Sequence, residues 1–262
     1  CFISSTLFKS IILSQKLLKR SIRRIISDSI KNNENTFYKL VNRSSVNENF
    51  INKIVQNCKI GLLKYICETV LQNKNIPWNK WTSRYAAEYG NLEILRYLHE
   101  NGCPWDEGTF KEAAINKDFK MIQYLYSNGC AWDEWGCHYV ALSGDIEILR
   151  FLRQKGCPWN TFTFYAAILG ENLEIVKFLH ENDCPWDCHC CIYAAKNGDL
   201  ETLKYLHENG CEWNEFTCSV AADNGHLEVL KYAVENGCSV NKWNICIPLL
   251  NDEVKEYLKD YL

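Results

Sequence analysis

WDCHCCIYAAKNGDLETLKYLHENGCE, residues 186–212, is one copy of a unit that the chain repeats every 27 residues. The tryptophan that opens the unit and the cysteine near its end both keep this step without a slip. The tryptophans are Trp78, Trp105, Trp132, Trp159, Trp186 and Trp213, and the cysteines are Cys103, Cys130, Cys157, Cys184, Cys211 and Cys238. Self-similarity at a period of about 20 to 50 residues is typical of a solenoid, in which each unit buries its apolar face against its neighbours.

Each copy has the pattern of two helices joined by a short turn. An Asp or Asn follows the tryptophan, as Asp187 does here, and its side chain can cap the free N–H groups of a first helix. Gly198 ends that helix, and Asp199 starts a second one whose apolar residues have helical spacing. We therefore predict an all-α solenoid of stacked helix–turn–helix units. The residues expected to be buried in the first copy are Ala86, Ala87, Leu92, Leu95 and Leu98.

Two of the predicted second helices contain a motif known from a repeat family. Gly-Asn-Leu-Glu-Ile-Leu-Arg-Tyr-Leu at 90–98 and Gly-His-Leu-Glu-Val-Leu-Lys-Tyr at 225–232 resemble ankyrin repeats. The resemblance extends over residues 78–239, and its Gly-Cys-Pro-Trp wording is similar to arrays of large DNA viruses and some protists. It implies stacked helix pairs and a role in protein–protein interaction. Since an ankyrin repeat has about 33 residues, this unit is shorter, and we expect the projecting β-hairpin fingers to be trimmed or absent.

The array divides the chain into four segments. We assign residues 1–50 to a basic N-terminal helical region or cap, 51–77 to a degenerate first repeat, 78–239 to six repeats and 240–262 to a C-terminal capping repeat. Between Leu7 and Ile30, apolar residues at helical spacing alternate with Lys and Arg. This helix either packs on the first repeat as a cap, or binds a membrane surface or nucleic acid. The chain begins at Cys1 rather than Met, so we expect a missing start and make no prediction about targeting.

Charge and cysteine usage exclude several classes of protein. Residues 1–50 carry nine basic and three acidic side chains, so the remainder of the chain has a net charge of −9. An acidic array does not favour nucleic acid as a partner. The sequence contains no apolar run of about 18 residues, so we predict no transmembrane segment. Equivalent residues of stacked helices lie about 8 to 10 Å apart, whereas a disulfide needs Cα atoms within about 7 Å. We therefore expect reduced thiols and an intracellular, cytoplasmic protein.

One cluster of residues offers metal ligands. Thiolates and imidazole are zinc ligands, and they occur together at Cys184, Cys188, His189, Cys190 and Cys191. Cys184 and Cys191 fall on columns that are cysteine in other copies, however, and the spacing fits no common zinc pattern. We expect no metal and no cofactor. The rival hypothesis, a thiol or metal-dependent enzyme at this cluster, would be decided by metal analysis.

Catalytic motifs are likewise lacking. The chain contains no phosphate-binding loop, nucleophile elbow or paired-histidine metal motif, so we predict neither an enzyme nor a small-molecule substrate. His99, His180 and His207 share a place near the end of the second helix, where the helix dipole favours a cation. A structural role is sufficient to explain them.

Aromatic residues also form columns. Trp81, Trp135, Phe162, Phe216 and Trp243 share a place early in the first helix, and Tyr85, Tyr139 and Tyr193 share another four residues later. We expect the first column in the core between repeats. For the tyrosines, a core position and an exposed groove are both open. The second helices repeat Glu and Lys or Arg three residues apart, which is typical of a solvated face.

The first helices vary most between copies, and this favours them as a binding face. We predict a monomeric, non-enzymatic scaffold that binds a protein partner, of identity unknown, on the first-helix, concave face. The alternative is an adaptor that recruits a bound protein to an enzyme through its N-terminal region. The candidate contact residues are Arg84, Tyr85, Glu88, Lys111, Glu112, His138, Tyr139, Tyr193 and Lys196, with the tyrosines as anchors.

Overall fold

The computed structural model describes residues 46–241, 244–245, 250–259 and 261, and all regular elements in these ranges are helical. Strands are absent from them, so the predictions of an all-α solenoid and of missing fingers are confirmed. The helices are α1 (Glu48–Gln56), α2 (Ile60–Tyr65), α3 (Lys80–Glu88), α4 (Leu92–Glu100), α5 (Glu107–Ile115), α6 (Phe119–Ser127), α7 (Glu134–Ser143), α8 (Ile146–Gln154), α9 (Thr161–Leu169), α10 (Leu173–Glu181), α11 (His189–Asn197), α12 (Leu200–Glu208), α13 (Glu215–Asp223), α14 (Leu227–Glu235) and α15 (Asp252–Leu258). The basic helix predicted at 7–30 lies outside the described residues.

The helices from α3 to α14 form six pairs, one for each 27-residue copy. We call these copies repeats 1 to 6; they begin at Trp78, Trp105, Trp132, Trp159, Trp186 and Trp213. Helix α2 continues through a π-helical turn, Ile66–Val70, before repeat 1. The chain divides into two compact units, Cys1–Thr109 and Phe110–Leu262. No helix of the described residues is long and apolar enough to span a membrane.

In repeats 1 to 5 both helix starts are capped as predicted, whereas in repeat 6 His226 precedes α14 and forms no side-chain cap. In repeat 1 the Asn79 side chain accepts a hydrogen bond from the Trp81 backbone N–H, and the Asn91 side chain accepts one from the Ile94 N–H. In repeat 5 the corresponding acceptors are Asp187 and Asp199. A cap of this kind contributes about 0.5 to 2 kcal/mol. The 27-residue spacing of Asx residues thus fixes where each pair begins.

The core consists of the small residues of the first helices and the aliphatic residues of the second. Ala86, Ala87, Leu95 and Leu98 are fully buried, as predicted. Leu92 is only half-buried. It is the first residue of α4, so part of its side chain faces solvent beside the turn.

Each first helix ends at a residue in the left-handed region. Glycine takes this place in four repeats, and Gly144, with φ of 84°, is an example. In the other two repeats Lys117 and Glu171 adopt φ of 54° and 53°, a conformation that L-residues disfavour. Gly170, which precedes Glu171, is needed for another reason. A Cβ on Gly170 would lie 2.5 Å from the Leu142 carbonyl oxygen, so the glycine allows α9 to approach α7 closely.

In repeats 1 and 3 to 6, the cysteine near the end of the repeat contacts the residue that caps its first helix. The Cys157 thiol lies 3.5 Å from the carbonyl oxygen of Asp133, the capping residue that begins the same repeat. The thiols of Cys103, Cys184, Cys211 and Cys238 reach the equivalent carbonyls at 3.2 to 3.5 Å. All cysteines among the described residues are free thiols. Burial raises the pKa of Cys103 to about 11 and that of Cys184 to about 12.

The repeat tryptophans pack against the end of the preceding second helix. The rings of His99 and Trp105 stack with centroids 3.8 Å apart, and those of His207 and Trp213 stack at 3.7 Å. Arg153 occupies the same place in repeat 3 and lies 4.1 Å from the centroid of Trp159. The histidine column therefore joins one repeat to the next through ring stacking.

Candidate functional site

The aromatic column early in the first helices is exposed, contrary to the prediction that it lies in the core. Trp81 is 49% exposed, Trp135 42%, Phe162 59% and Phe216 50%. Each follows the capping Asx by two residues, and the first turn of the helix therefore directs it away from the adjacent repeat core. Trp243, the fifth member predicted, lies outside the described residues.

The exposed aromatics continue along the first helices as an apolar surface. Seven residues after Trp135 and Phe162, two turns further along the same helix faces, Leu142 and Leu169 are 39% and 44% exposed. Helices α7 and α9 are adjacent, since Nδ1 of His138 lies 3.1 Å from the Phe162 carbonyl oxygen. Trp135, Leu142, Phe162 and Leu169 therefore form one patch on neighbouring helices, which we call the α7–α9 patch.

A second group of aromatic side chains surrounds the start of α7. The rings of Trp135 and His138 lie 5.0 Å apart, and those of His138 and Tyr139 lie 5.1 Å apart. Nζ of Lys111 lies 5.0 Å from the centroid of Tyr139. Burial lowers the pKa of His138, although its hydrogen bond to Phe162 acts in the opposite direction. The imidazole is thus held in its neutral form and extends the aromatic surface.

A third group lies where α9 meets α11, and we call it the Tyr165 patch; it consists of Phe162, Tyr165, Asp187, His189 and Tyr193. The Tyr165 hydroxyl lies 2.8 and 2.7 Å from the two carboxylate oxygens of Asp187. The Tyr165 ring lies 5.0 Å from that of Tyr193, 5.8 Å from Phe162 and 6.3 Å from His189. The side chains of Asp187 and His189 are 46% and 60% exposed. The patch combines four rings with an accessible carboxylate.

The sequence-predicted contact residues divide by exposure. Glu88 and Lys196 are exposed, whereas Tyr85, Lys111, Glu112, His138, Tyr139 and Tyr193 are half-buried. Arg84 is held within its own unit: its guanidinium donates to both carboxylate oxygens of Asp106, at 2.9 and 2.6 Å. Its carbon Cζ also lies 4.5 Å from the Trp81 centroid. A Cβ on Gly108 would collide with this guanidinium, and repeat 2 has glycine there instead of an aromatic residue.

The second helices use their charges to join repeats as well as to face solvent. Lys204 and Lys231 form the predicted ion pairs with Glu201 and Glu228 at 3.2 and 2.9 Å. Lys204 also lies 5.9 Å from the ring of Tyr232 in the next repeat. Arg150 over Phe178 and Lys177 over Tyr205 repeat this cation–π contact at 4.6 and 5.5 Å. This regular face thus has a structural role, with each contact contributing about 0.5 to 1 kcal/mol.

The possible zinc ligands do not converge as a set. Cys184, Cys190 and Cys191 are buried, whereas His189 is exposed and Cys188 is half-exposed. In the part of the chain that the structure describes, the one such group with ligand atoms within 4.8 Å of one another is Asp187, Cys188 and His189. These three are sequence neighbours, and Asp187 is already engaged by Tyr165 and by the His189 backbone N–H. The group does not have the closed tetrahedral donor set of a structural zinc site.

The family comparison agrees with the helix pairs just described. Residues 137–217 match the family model for ankyrin repeats, in three copies. No curated protein matches the chain.

Proposed function

We propose that this chain, whose residues 137–217 are ankyrin repeats, is a non-enzymatic scaffold that binds a protein partner on the first-helix face of repeats 3 to 5. Ankyrin repeats generally mediate protein–protein interaction. The observation that carries the assignment to this face is the α7–α9 patch, where Trp135 and Phe162 are 42% and 59% exposed.

The patch has the composition of a binding surface. Contiguous exposed apolar side chains on a soluble protein mark interaction sites, and aromatic residues dominate the energetic centres of interfaces. Trp135, Phe162 and the flanking Leu142 and Leu169 give such a centre. The second-helix cations, by contrast, are already committed to rings of adjacent repeats.

The tyrosines keep a part in this proposal. Tyr139 and Tyr193 are half-buried beside the exposed aromatics, so they can contribute contacts while their rings stay packed. Tyr85 is also half-buried, but it lies in the other unit and is not part of the face proposed here. An adaptor role would depend on the N-terminal region, of which residues 1–45 lie outside the described part of the chain.

The test is a comparison of variants on the two faces. We would change Trp135 and Phe162 together to His, a residue that repeat 5 tolerates at the same place as His189. The matched control changes Glu147 and Glu174, exposed on second helices, to Gln. Proteins captured by the wild type would be quantified against both variants, after circular dichroism shows that each is folded.

We expect the histidine variant to lose its partner and the glutamine variant to retain it. Losing one aromatic anchor of an interface costs about 2 kcal/mol or more, a loss of roughly 30-fold in affinity, and the double variant should lose more than that. If the partner is retained by the histidine variant and lost by the glutamine variant, the binding face is wrong.

A further inference from the structure

The repeats allow the Tyr165 patch to be compared with equivalent places elsewhere in the chain. In repeat 1, Arg84 stands where Tyr165 does, and it pairs with Asp106, the equivalent of Asp187. The guanidinium binds both carboxylate oxygens and packs on Trp81. The Asp106 side chain is then only 14% exposed. There the chain itself supplies an arginine to an aromatic and acidic pocket.

A second comparison concerns the tyrosine of the patch. Tyr139 in repeat 3 is the equivalent of Tyr193, and Lys111 of the preceding repeat lies over its ring at 5.0 Å. The residue equivalent to Lys111 beside Tyr193 is again Tyr165. At Tyr139, as at Trp81, the chain therefore places one of its own cations on the face of an aromatic ring.

Tyr165 occupies the repeat position of both Arg84 and Lys111, so at the Tyr165 patch a tyrosine stands in place of these two cations. Within the described ranges, no Lys or Arg lies over the ring of Phe162, Tyr165 or Tyr193, and none forms an ion pair with Asp187. Among the described residues, the one basic group paired with the carboxylate is the His189 imidazole, whose Nδ1 lies 3.2 Å from Oδ1 of Asp187, and imidazole is not a permanent cation. The patch therefore has a carboxylate equivalent to Asp106 and a ring equivalent to Tyr139, but neither is contacted by a Lys or Arg of the described residues.

The carboxylate remains charged in this environment. Burial raises the pKa of Asp187, but the hydrogen bonds from the Tyr165 hydroxyl and the His189 backbone outweigh it and hold the pKa below its usual value. The carboxylate side chain is also more exposed than that of Asp106, 46% against 14%. A cation from solution can reach it.

We propose that the Tyr165 patch binds an arginine side chain of the partner protein. A guanidinium is planar, so it can pair with both oxygens of Asp187 while it stacks on the exposed rings. The net charge of −9 on residues 51–262 favours a partner segment that is basic. The proposal rests on the first-helix face being the protein-binding face, and it specifies the chemistry of the partner there.

The test uses blocked Ala-Arg-Ala tripeptide as the probe, with citrulline and lysine versions for comparison. Citrulline has the shape of arginine without its charge. Binding would be followed by nuclear magnetic resonance titration of the full chain in the presence of a chelator. We expect shifts near Tyr165 and Tyr193, with the citrulline peptide binding about three- to tenfold more weakly. Equal binding of the arginine and citrulline peptides would overturn the proposal, as would dependence on added metal.

Variants of the carboxylate test the same point without disturbing the fold. Asp187→Asn removes the charge and keeps a capping side chain, since Asn79 and Asn160 cap the same helix start in other repeats. The control is Asp199→Asn, which makes the same change at the second-helix cap of the same repeat. We expect Asp187→Asn to weaken the arginine peptide about three- to tenfold and Asp199→Asn to leave it unchanged.

A third variant fills the site from within the chain. Tyr165→Arg restores the arrangement of Arg84 and Asp106, so it should abolish peptide binding while the protein remains folded. If Tyr165→Arg binds the arginine peptide as the wild type does, the guanidinium does not occupy this site. If the protein partner fails to bind the variant with Trp135 and Phe162 changed to His but binds Asp187→Asn as well as the wild type, the arginine proposal is wrong and the proposed binding face stands.

Discussion

Replacing Glu171 by Gly should stabilise the protein. Glu171 has φ of 53° in the turn between α9 and α10, where four other repeats have glycine. An L-residue in this region costs about 1 to 2 kcal/mol because Cβ crowds the next carbonyl oxygen. Removing this strain is offset in part, because glycine has more conformational freedom in the unfolded chain and its ordering on folding costs about 0.5 to 1 kcal/mol more. The net expectation is about 0.5 to 1 kcal/mol of added stability.

The assay is urea unfolding followed by circular dichroism, with thermal melting alongside. For a chain of this size, the gain corresponds to a rise in Tm of about 1 to 4 °C. Lys117→Gly should behave in the same way, because Lys117 has φ of 54° at the equivalent turn. Gln123→Gly is the control: Gln123 is exposed inside α6, where glycine should lower stability by about 1 kcal/mol.

The reverse change completes the series. Gly144→Ala should destabilise, since Gly144 has φ of 84° and a Cβ there would lie 3.2 Å from Nδ2 of Asn172. If Glu171→Gly and Lys117→Gly both lower the urea midpoint at unchanged m-value, the two turns carry no backbone strain and the reasoning fails.

Further predictions concern the core and one ion pair. Leu149→Ala, at a fully buried site, should lower the free energy of unfolding by about 2 to 5 kcal/mol in urea, and a loss below 1 kcal/mol would contradict its core position. Gly170→Ala should destabilise by about 1 to 3 kcal/mol because the added Cβ meets the Leu142 carbonyl; an unchanged midpoint would show that α7 and α9 can separate freely. Burial raises the pKa of Asp106, but Arg84 and Lys80 together outweigh it and lower the pKa, so the stability this carboxylate contributes is present above about pH 4 and lost as pH falls through its folded pKa. The midpoint of Asp106→Asn should therefore depend less on pH between about 5 and 3 than that of the wild type, and identical profiles would exclude this role.

The repeat period made the fold accessible from sequence, and the same period concealed the exposed column. Residues on both faces recur every 27 positions, so periodicity alone does not separate Trp135, which is exposed, from Cys137, which is buried two residues later. The chain did contain a distinguishing signal. Gly108 and His189 occupy the same column as Trp135, and a core position between stacked helices would not accept both.

The turn of repeat 4 shows a second limit of pattern reading. Gly170 resembles the glycine that ends other first helices, yet the left-handed residue is Glu171 and Gly170 has φ of −79°. The glycine is explained by its approach to the Leu142 carbonyl, which is a contact between repeats. Contacts of this kind depend on how closely two helices pack, and a single repeat considered alone does not contain that distance.

The regular placement of the repeat cysteines gives the chain a set of internal reporters of local opening. These six thiols are no more than 7% exposed, so an alkylating reagent in solution reaches each one only when its repeat opens. Their neighbours differ, since Cys103 contacts Ser83 whereas Cys211 lies beside Cys191, so each labelling rate is compared with that of the same cysteine in the unfolded chain, and the ratio reports how often its repeat opens. Mass spectrometry of the alkylated peptides would read all six rates from one sample, and with them the order in which the array comes apart from its ends or its middle.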